Sequence, residues 1–132
     1  MAIQAITPFL MFEGRAEEAM NFYISVFDRS EILRIQRYGP GEAAPEGSVI
    51  QAAFSLHGQV FRCIDSLVKH GFSFTPAMSF FVTCDTEAEV DRLFEKLSEG
   101  GQVYMPLGAY PFSPRYGWVG DRFGVTWQLS LE

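Results

Sequence analysis

The sequence predicts an α+β fold made of two βαβββ halves. Three observations carry it: a short apolar strand leads into an amphipathic helix twice, strand-rich sequence follows each helix, and the last two strands of each half meet at a glycine. In the first half, residues 3–12 are extended and apolar. Gly14 then opens a stretch in which Ala16, Ala19, Tyr23, Val26 and Phe27 recur at three- and four-residue steps, the spacing of one helix face. In the second half, residues 77–84 form a short apolar run, followed by Thr86-Glu87-Ala88-Glu89. That is a capping-box pattern, in which hydroxyl and carboxylate satisfy free amides at a helix start. Val90, Leu93, Phe94 and Leu97 make the stripe, and Gly100-Gly101 supplies the left-handed residue that ends a helix. Phe22-Tyr23 superposes on Leu93-Phe94, so the chain reads as one internally duplicated domain over 1–132, with halves of about 1–66 and 67–132.

The remaining strands are expected at 31–38, 49–57 and 59–65, then at 102–107, 116–120 and 125–131. His57-Gly58 and Asp121-Arg122-Phe123-Gly124 provide the tight turns. Alternation assigns the faces. Ile50, Ala52, Phe54, Leu56, Phe61 and Cys63 share one face, matched by Val125, Trp127, Leu129 and Leu131, and these are expected under the helices. The opposite faces carry Gln51, Ala53, Ser55 and Arg62, and Thr126, Gln128 and Ser130, a polar set suited to lining a cavity. Residues 39–47 and 108–114 read as loops by their glycine and proline content. The second concentrates Tyr110, Phe112, Tyr116 and Trp118 near the polar lining.

Composition bounds the function. Hydrophobic residues make up 48% of the 132, with 13 Phe, enough to bury a single core. The 16 acidic residues against 10 basic give a charge of -6, which repels phosphate backbones and anionic lipid, so neither nucleic acid nor membrane is an expected partner. The apolar start lacks a basic leader, contains Pro8 and runs into Glu13, and so reads as a strand and not a signal peptide. Cys63 and Cys84 are far apart and each lies in an apolar run. They read as reduced core thiols of a cytoplasmic protein.

The duplication, with Asn21-Phe22-Tyr23 on the first helix and Asp121-Arg122-Phe123-Gly124-Val125-Thr126-Trp127-Gln128 near the C-terminus, resembles the vicinal oxygen chelate (glyoxalase-like) superfamily. The closer resemblance is to its PhnB-like branch, carried also by Thr7-Pro8-Phe9-Leu10-Met11-Phe12, Gly58-Gln59-Val60-Phe61, Ile64-Asp65-Ser66 and Arg115-Tyr116-Gly117-Trp118-Val119. It spans nearly the whole chain. The resemblance implies a cup-shaped mixed sheet with helices on its outer face, to which each half contributes, and a homodimer. Metal-using members place His or Glu on four strands pointing into the cup. Here the first-strand position falls on Pro8 and its second-half counterpart near Met78, while the last-strand position, Glu in many members, is Gln128. Matching Gly58 to Gly124 pairs Gln128 with Arg62; a one-residue shift of register puts Cys63 there instead. None of Pro8, Met78, Gln128 and Arg62 suits a divalent cation, so no metal and no cofactor is expected.

A small-molecule ligand is expected on Gln51, Arg62, Tyr110, Phe112, Trp118 and Gln128. Arg62 suits a carboxylate or phosphate, Gln128 offers a donor and an acceptor, and the aromatics offer a wall for a flat ligand. Each residue also has a plain structural role open to it: solvated arginine, strand-to-strand hydrogen bonding, or core filling and dimer contact. Asp65 can act as a base or cap a turn, and capping is favoured; Asp121-Arg122 reads as turn chemistry; His57 and His70 read as exposed loop residues. No catalytic residue is identified. An enzyme of lyase, isomerase or dioxygenase type and a dimeric interaction module remain the alternatives to a binding protein. Relatives in this branch often carry a name implying 3-demethylubiquinone methyltransferase activity. The sequence does not support it, because Gly39-Pro40-Gly41 leads into a proline-bearing loop instead of the glycine-rich strand-to-helix turn that holds a nucleotide-like cofactor.

Overall fold

The computed structural model describes residues 2–132. Among them the elements run β1 (Phe9–Phe12), α1 (Ala16–Val26), β2 (Glu31–Arg37), β3 (Val49–Leu56), β4 (Gln59–Asp65), β5 (Phe80–Cys84), α2 (Glu87–Ser98), β6 (Gln102–Tyr110), β7 (Ser113–Gly120) and β8 (Thr126–Leu131). The chain divides after His70 into two compact units. Each is a βαβββ module with a four-stranded mixed sheet, ordered β1-β4-β3-β2 in one and β5-β8-β7-β6 in the other. In each, the first strand lies parallel to the last and the rest pair antiparallel. The predicted α+β class and the twofold βαβββ plan are what the molecule shows.

In the first unit, α1 packs on the sheet through Ala16, Ala19, Met20, Tyr23 and Val26, all buried. The Tyr23 ring lies 6.3 Å from Phe54, and Phe54 stacks on Phe61 at 5.2 Å. Burying side chains of this size contributes about 1.5–3 kcal/mol each. Nothing on α1 itself caps its start: Arg15 makes no side-chain cap. The cap comes from the end of β4. Asp65 is buried, and its Oδ1 accepts from the amides of Gly14 and Ala16, both at 2.9 Å, while Oδ2 accepts from the Val49 amide at 2.8 Å. One carboxylate therefore joins the entry of α1, the start of β3 and the end of β4.

In the second unit, Thr86 Oγ1 accepts from the Glu89 amide at 3.2 Å, as the capping pattern predicts. The reciprocal arm differs, because the Glu89 carboxylate is held by Arg92 at 2.8 and 2.9 Å, and that partner keeps its pKa low. The two glycines after α2 do different jobs. Gly100 takes the left-handed φ of 72° that ends the helix, whereas a Cβ on Gly101 would stand 2.1 Å from the Gly120 carbonyl oxygen. Phe94 seats the helix directly on the sheet, since a Cβ on Gly117 of β7 would meet its ring at 2.5 Å.

Two expected boundaries differ. The strand predicted over 3–12 is only Phe9–Phe12; residues 3–8 lie outside it, with Ile3 and Ile6 exposed. Pro8 marks the limit: its carbonyl accepts from the Arg62 amide at 2.9 Å, but it has no N–H to extend the ladder. The loop predicted over 108–114 is instead the tip of a hairpin, with Tyr110 opposite Ser113. β6 is an edge strand, where a proline such as Pro106 is tolerated, and Tyr110 Oη donates to the Pro106 carbonyl at 2.6 Å. Local composition signals a loop there, and cross-strand pairing overrides it.

Asp65→Ala is expected to lower unfolding free energy by on the order of 3–5 kcal/mol, because it leaves three amide donors without their acceptor. Thr86→Ala removes one exposed cap bond and is expected to cost about 1 kcal/mol. Urea denaturation of both variants checks this ordering, and equal costs would contradict it.

Candidate functional site

The sheet registers define what lies on each face away from the helix. In the first unit, Phe9 pairs with Arg62, Arg62 with Ala53, and Ala53 with Arg34, forming one row across all four strands. The neighbouring row brings Gln51 opposite Gln36. An Arg62 Nη donates to Gln51 Oε1 at 3.4 Å, and Gln51 Nε2 donates to Gln36 Oε1 at 3.2 Å. This register places Arg62, and not Cys63, on the helix-free face. Cys63 pairs with Ala52 and is fully buried, and burial, reinforced by the Asp65 charge, pushes its thiol up to about 12. Cys84 is buried too, with its thiol raised to about 11 by burial first and then by Glu89 and Asp85. Neither offers a thiolate nucleophile near neutral pH.

In the second unit, Trp118 lies opposite Gln128 and Tyr116 opposite Ser130, which puts all four on the face away from α2. Tyr110, Phe112 and Tyr116 form a cluster with ring centroids 4.8 to 5.7 Å apart, and Phe112 is 62% exposed. Tyr116 Oη donates to Gln128 Oε1 at 2.5 Å, and Gln128 Nε2 donates to Ser79 Oγ at 2.6 Å. Burial, and after it the neighbouring Tyr110, raises the Tyr116 pKa, so its phenol stays a donor. Trp118 stands apart from the trio and packs on Tyr104 at 5.1 Å. Its Nε1 is buried and has no hydrogen-bond partner. A buried donor left without an acceptor costs about 1–3 kcal/mol, and such groups are uncommon.

The six residues expected to bind ligand thus fall into two sets: Gln51 with Arg62 in the first unit, and Tyr110, Phe112, Trp118 and Gln128 in the second. Gln128 is already spent on Tyr116 and Ser79. Thr126 and Ser130, expected on the same polar lining, are buried and bonded to the Met78 carbonyl at 2.6 Å and to Ser113 Oγ at 3.0 Å. Sequence reasoning missed Tyr104, Ser79 and Arg34. Tyr104 and Arg34 enter through strand pairing across bulged registers, which no local pattern shows.

The candidate acids and bases are occupied. Asp65 caps α1 and β3. Asp121 is buried and accepts from the Phe123 amide at 2.8 Å, the Val125 amide at 3.1 Å and Trp127 Nε1 at 2.9 Å. His57 sits at the β3–β4 hairpin tip, 2.6 Å from an Arg29 Nη, and His70 contacts Ser66 Oγ at 3.0 Å. Among the described residues, no three His, Cys, Asp or Glu side chains come together. With Arg62 equivalent to Gln128, the ladders pair Phe9 with Arg62 and Phe81 with Gln128. One residue before Phe9 and Phe81, Pro8 and Phe80 alternate to the other side, and Phe80 packs beside Trp127 at 5.3 Å. The residues that share the helix-free face there, Phe9, Arg62, Phe81 and Gln128, are two phenylalanines, a fixed cation and an engaged amide, and the set does not fit a divalent metal.

A nucleotide-like methyl-donor cofactor does not fit either. It needs free amides at a glycine-rich helix start, and the amides at the head of α1 are bonded to Asp65 while Thr86 takes that of Glu89.

A family model described as 3-demethylubiquinone-9 3-methyltransferase matches residues 4–130. No curated protein matches the chain. Among solved structures, the PhnB protein from Bacillus cereus is 60% identical, with a TM-score of 0.95 over 98% of this chain and 100% of that one. Protein PA1353 from Pseudomonas aeruginosa is 28% identical, with a TM-score of 0.85 over 98% of each chain. The fosfomycin resistance protein FosX from Listeria monocytogenes, 13% identical with a TM-score of 0.68 over 100% of this chain and 95% of that one, shares the fold alone. The match across almost the entire chain, on a twofold βαβββ frame, makes this protein a member of the PhnB-like family described as 3-demethylubiquinone-9 3-methyltransferase.

Proposed function

We propose that this protein is a vicinal oxygen chelate superfamily member that binds a small molecule on its helix-free sheet faces without a standard metal site. The observation that carries the reading is the orphaned Nε1 of Trp118, buried beside Tyr104 and two residues along β7 from the Tyr110-Phe112-Tyr116 cluster. A ligand with a carbonyl or hydroxyl oxygen gives that donor its acceptor, and the aromatic trio gives the same ligand an apolar wall. Because the donor is shielded, the ligand reaches it by displacing a neighbouring ring such as Tyr104. Gln51 and Arg62 supply polar contacts on the face of the first unit.

The family description names a methyltransferase, but the occupied helix starts argue against that chemistry here. The lyase, isomerase or dioxygenase reading loses its candidate base, since the Asp65 carboxylate is engaged by the amides of Gly14, Ala16 and Val49. Exposed Phe9 and Phe81, one on the edge strand β1 and one on β5, support association into a homodimer. Among the described residues no helix is long and apolar enough to cross a membrane, and two unpaired, buried thiols suit a reducing compartment such as the cytoplasm.

The two tryptophans separate a ligand donor from a structural one. Trp127→Phe is expected to cost about 2–3 kcal/mol, because it strips a buried donor from Asp121. Trp118→Phe is expected to change stability by less than about 1 kcal/mol, because its N–H has no partner to lose. In a screen of small carbonyl- and hydroxyl-bearing compounds followed by NMR, hits should shift the Trp118 indole N–H signal and fail to bind Trp118→Phe. Binding that leaves that signal unmoved would refute the assignment.

Calorimetric titration with Ni²⁺, Mn²⁺, Zn²⁺ or Fe²⁺ is expected to give no stoichiometric heat. One metal bound per chain would overturn the metal-free reading.

A further inference from the structure

Five arginines of this acidic chain have a carboxylate partner: Arg15 with Glu18, Arg37 with Glu17, Arg92 with Glu89, Arg115 with Asp91 and Arg122 with Glu99. Arg29 is taken by His57 at the hairpin tip. Arg34 and Arg62 are different. Among the described residues neither has an acidic oxygen within ion-pair distance, although the chain carries 16 acidic residues against 10 basic.

Both arginines lie in the same cross-strand row, flanking Ala53 of the central strand β3. Residues opposite one another in antiparallel strands project to the same face, and two strand spacings put the flanking Cα atoms roughly 10 Å apart. An arginine side chain spans more than half of that distance, so two guanidinium groups can close on one group above Ala53. The residue between them is small: Ala53 ends in a methyl that its neighbours already cover, at 1% exposure, so a bound group sits between the two guanidinium groups and not on that methyl. Gln51 holds Arg62 from the neighbouring row, and Gln36 holds Gln51, which orients one guanidinium without neutralising it. Glu31 shares the strand of Arg34, opposite Ser55, and makes no ion pair with it.

We infer that Arg34 and Arg62 form an anion subsite on the helix-free face of the first unit, for a carboxylate or phosphate group of a small ligand. The inference rests on the small-molecule role proposed above and names the charged end of the ligand. Two fixed cations on one oxyanion give paired, charge-assisted hydrogen bonds. A chain with net negative charge gains from such a site the means to retain an anion that the rest of its surface repels.

The test is titration of the full chain with inorganic phosphate and, separately, with acetate at constant ionic strength, following the arginine Nε–Hε signals by NMR. The expected result is saturable binding of at least one of the two anions that moves Arg34 and Arg62 together. Arg34→Gln and Arg62→Gln should each weaken it at least tenfold, while Arg29→Gln leaves it unchanged. Saturation by phosphate alone assigns the subsite to phosphate, and saturation by acetate as well extends it to carboxylates. Linear, non-saturating shifts shared by Arg15 and Arg29, or full affinity retained in Arg34→Gln, would overturn the inference. This readout does not involve Trp118, so failure of the aromatic face and failure of the arginine pair are separately visible.

Discussion

Much of the first unit depends on a single buried carboxylate. Asp65 stands at the end of β4, yet the groups it satisfies belong to the start of α1 and the start of β3. A helix beginning with Arg15 and no side-chain cap would otherwise carry unsatisfied amides into the interior. By accepting all three, Asp65 fixes where the helix enters, and with it the seating of Tyr23 on Phe54. The second unit meets the same requirement by other means. Thr86 caps α2 locally, and Asp121 is committed to the β7–β8 turn and to the indole of Trp127. The duplication therefore preserves the βαβββ frame while relocating its buried acid.

That commitment shapes the chemistry left over. The buried carboxylates serve the frame, the thiols are held protonated, His57 sits on an exposed turn with Arg29, and half-buried His70 contacts Ser66. What remains for function lies on the helix-free faces, and the two units differ there. The first carries an uncompensated arginine pair over a small floor. The second carries stacked aromatics, an amide engaged at both ends and one indole N–H without an acceptor. These are the groups that the proposed ligand would meet, and among the described residues no three His, Cys, Asp or Glu side chains come together on either face.

Much of this was legible in the sequence. Helical spacing, the Thr86 cap and the glycine hairpins give the element order, and period-two alternation gives the faces. The Arg62 register follows from matching Gly58 to Gly124. Four things were not legible, for physical reasons. The role of Pro8 as a ladder terminator and the hairpin at Tyr110 and Ser113 depend on pairing with distant strands, which local composition does not encode. Arg34 reaches the row of Arg62 across a bulge after Ile32, so simple alternation misplaces it. The orphaned state of Trp118 is a property of its surroundings and not of its sequence, since Trp127, nine residues on, is fully satisfied.

The central claim is that the helix-free face of the second unit holds a ligand oxygen at Trp118. A crystal structure of the protein as purified, inspected around Trp118 Nε1, tests it most directly. The account predicts density for a non-protein molecule whose oxygen accepts from Nε1 and whose body lies along Tyr110, Phe112 and Tyr116. A face closed by the protein's own side chains, with Nε1 donating to one of them, would contradict it.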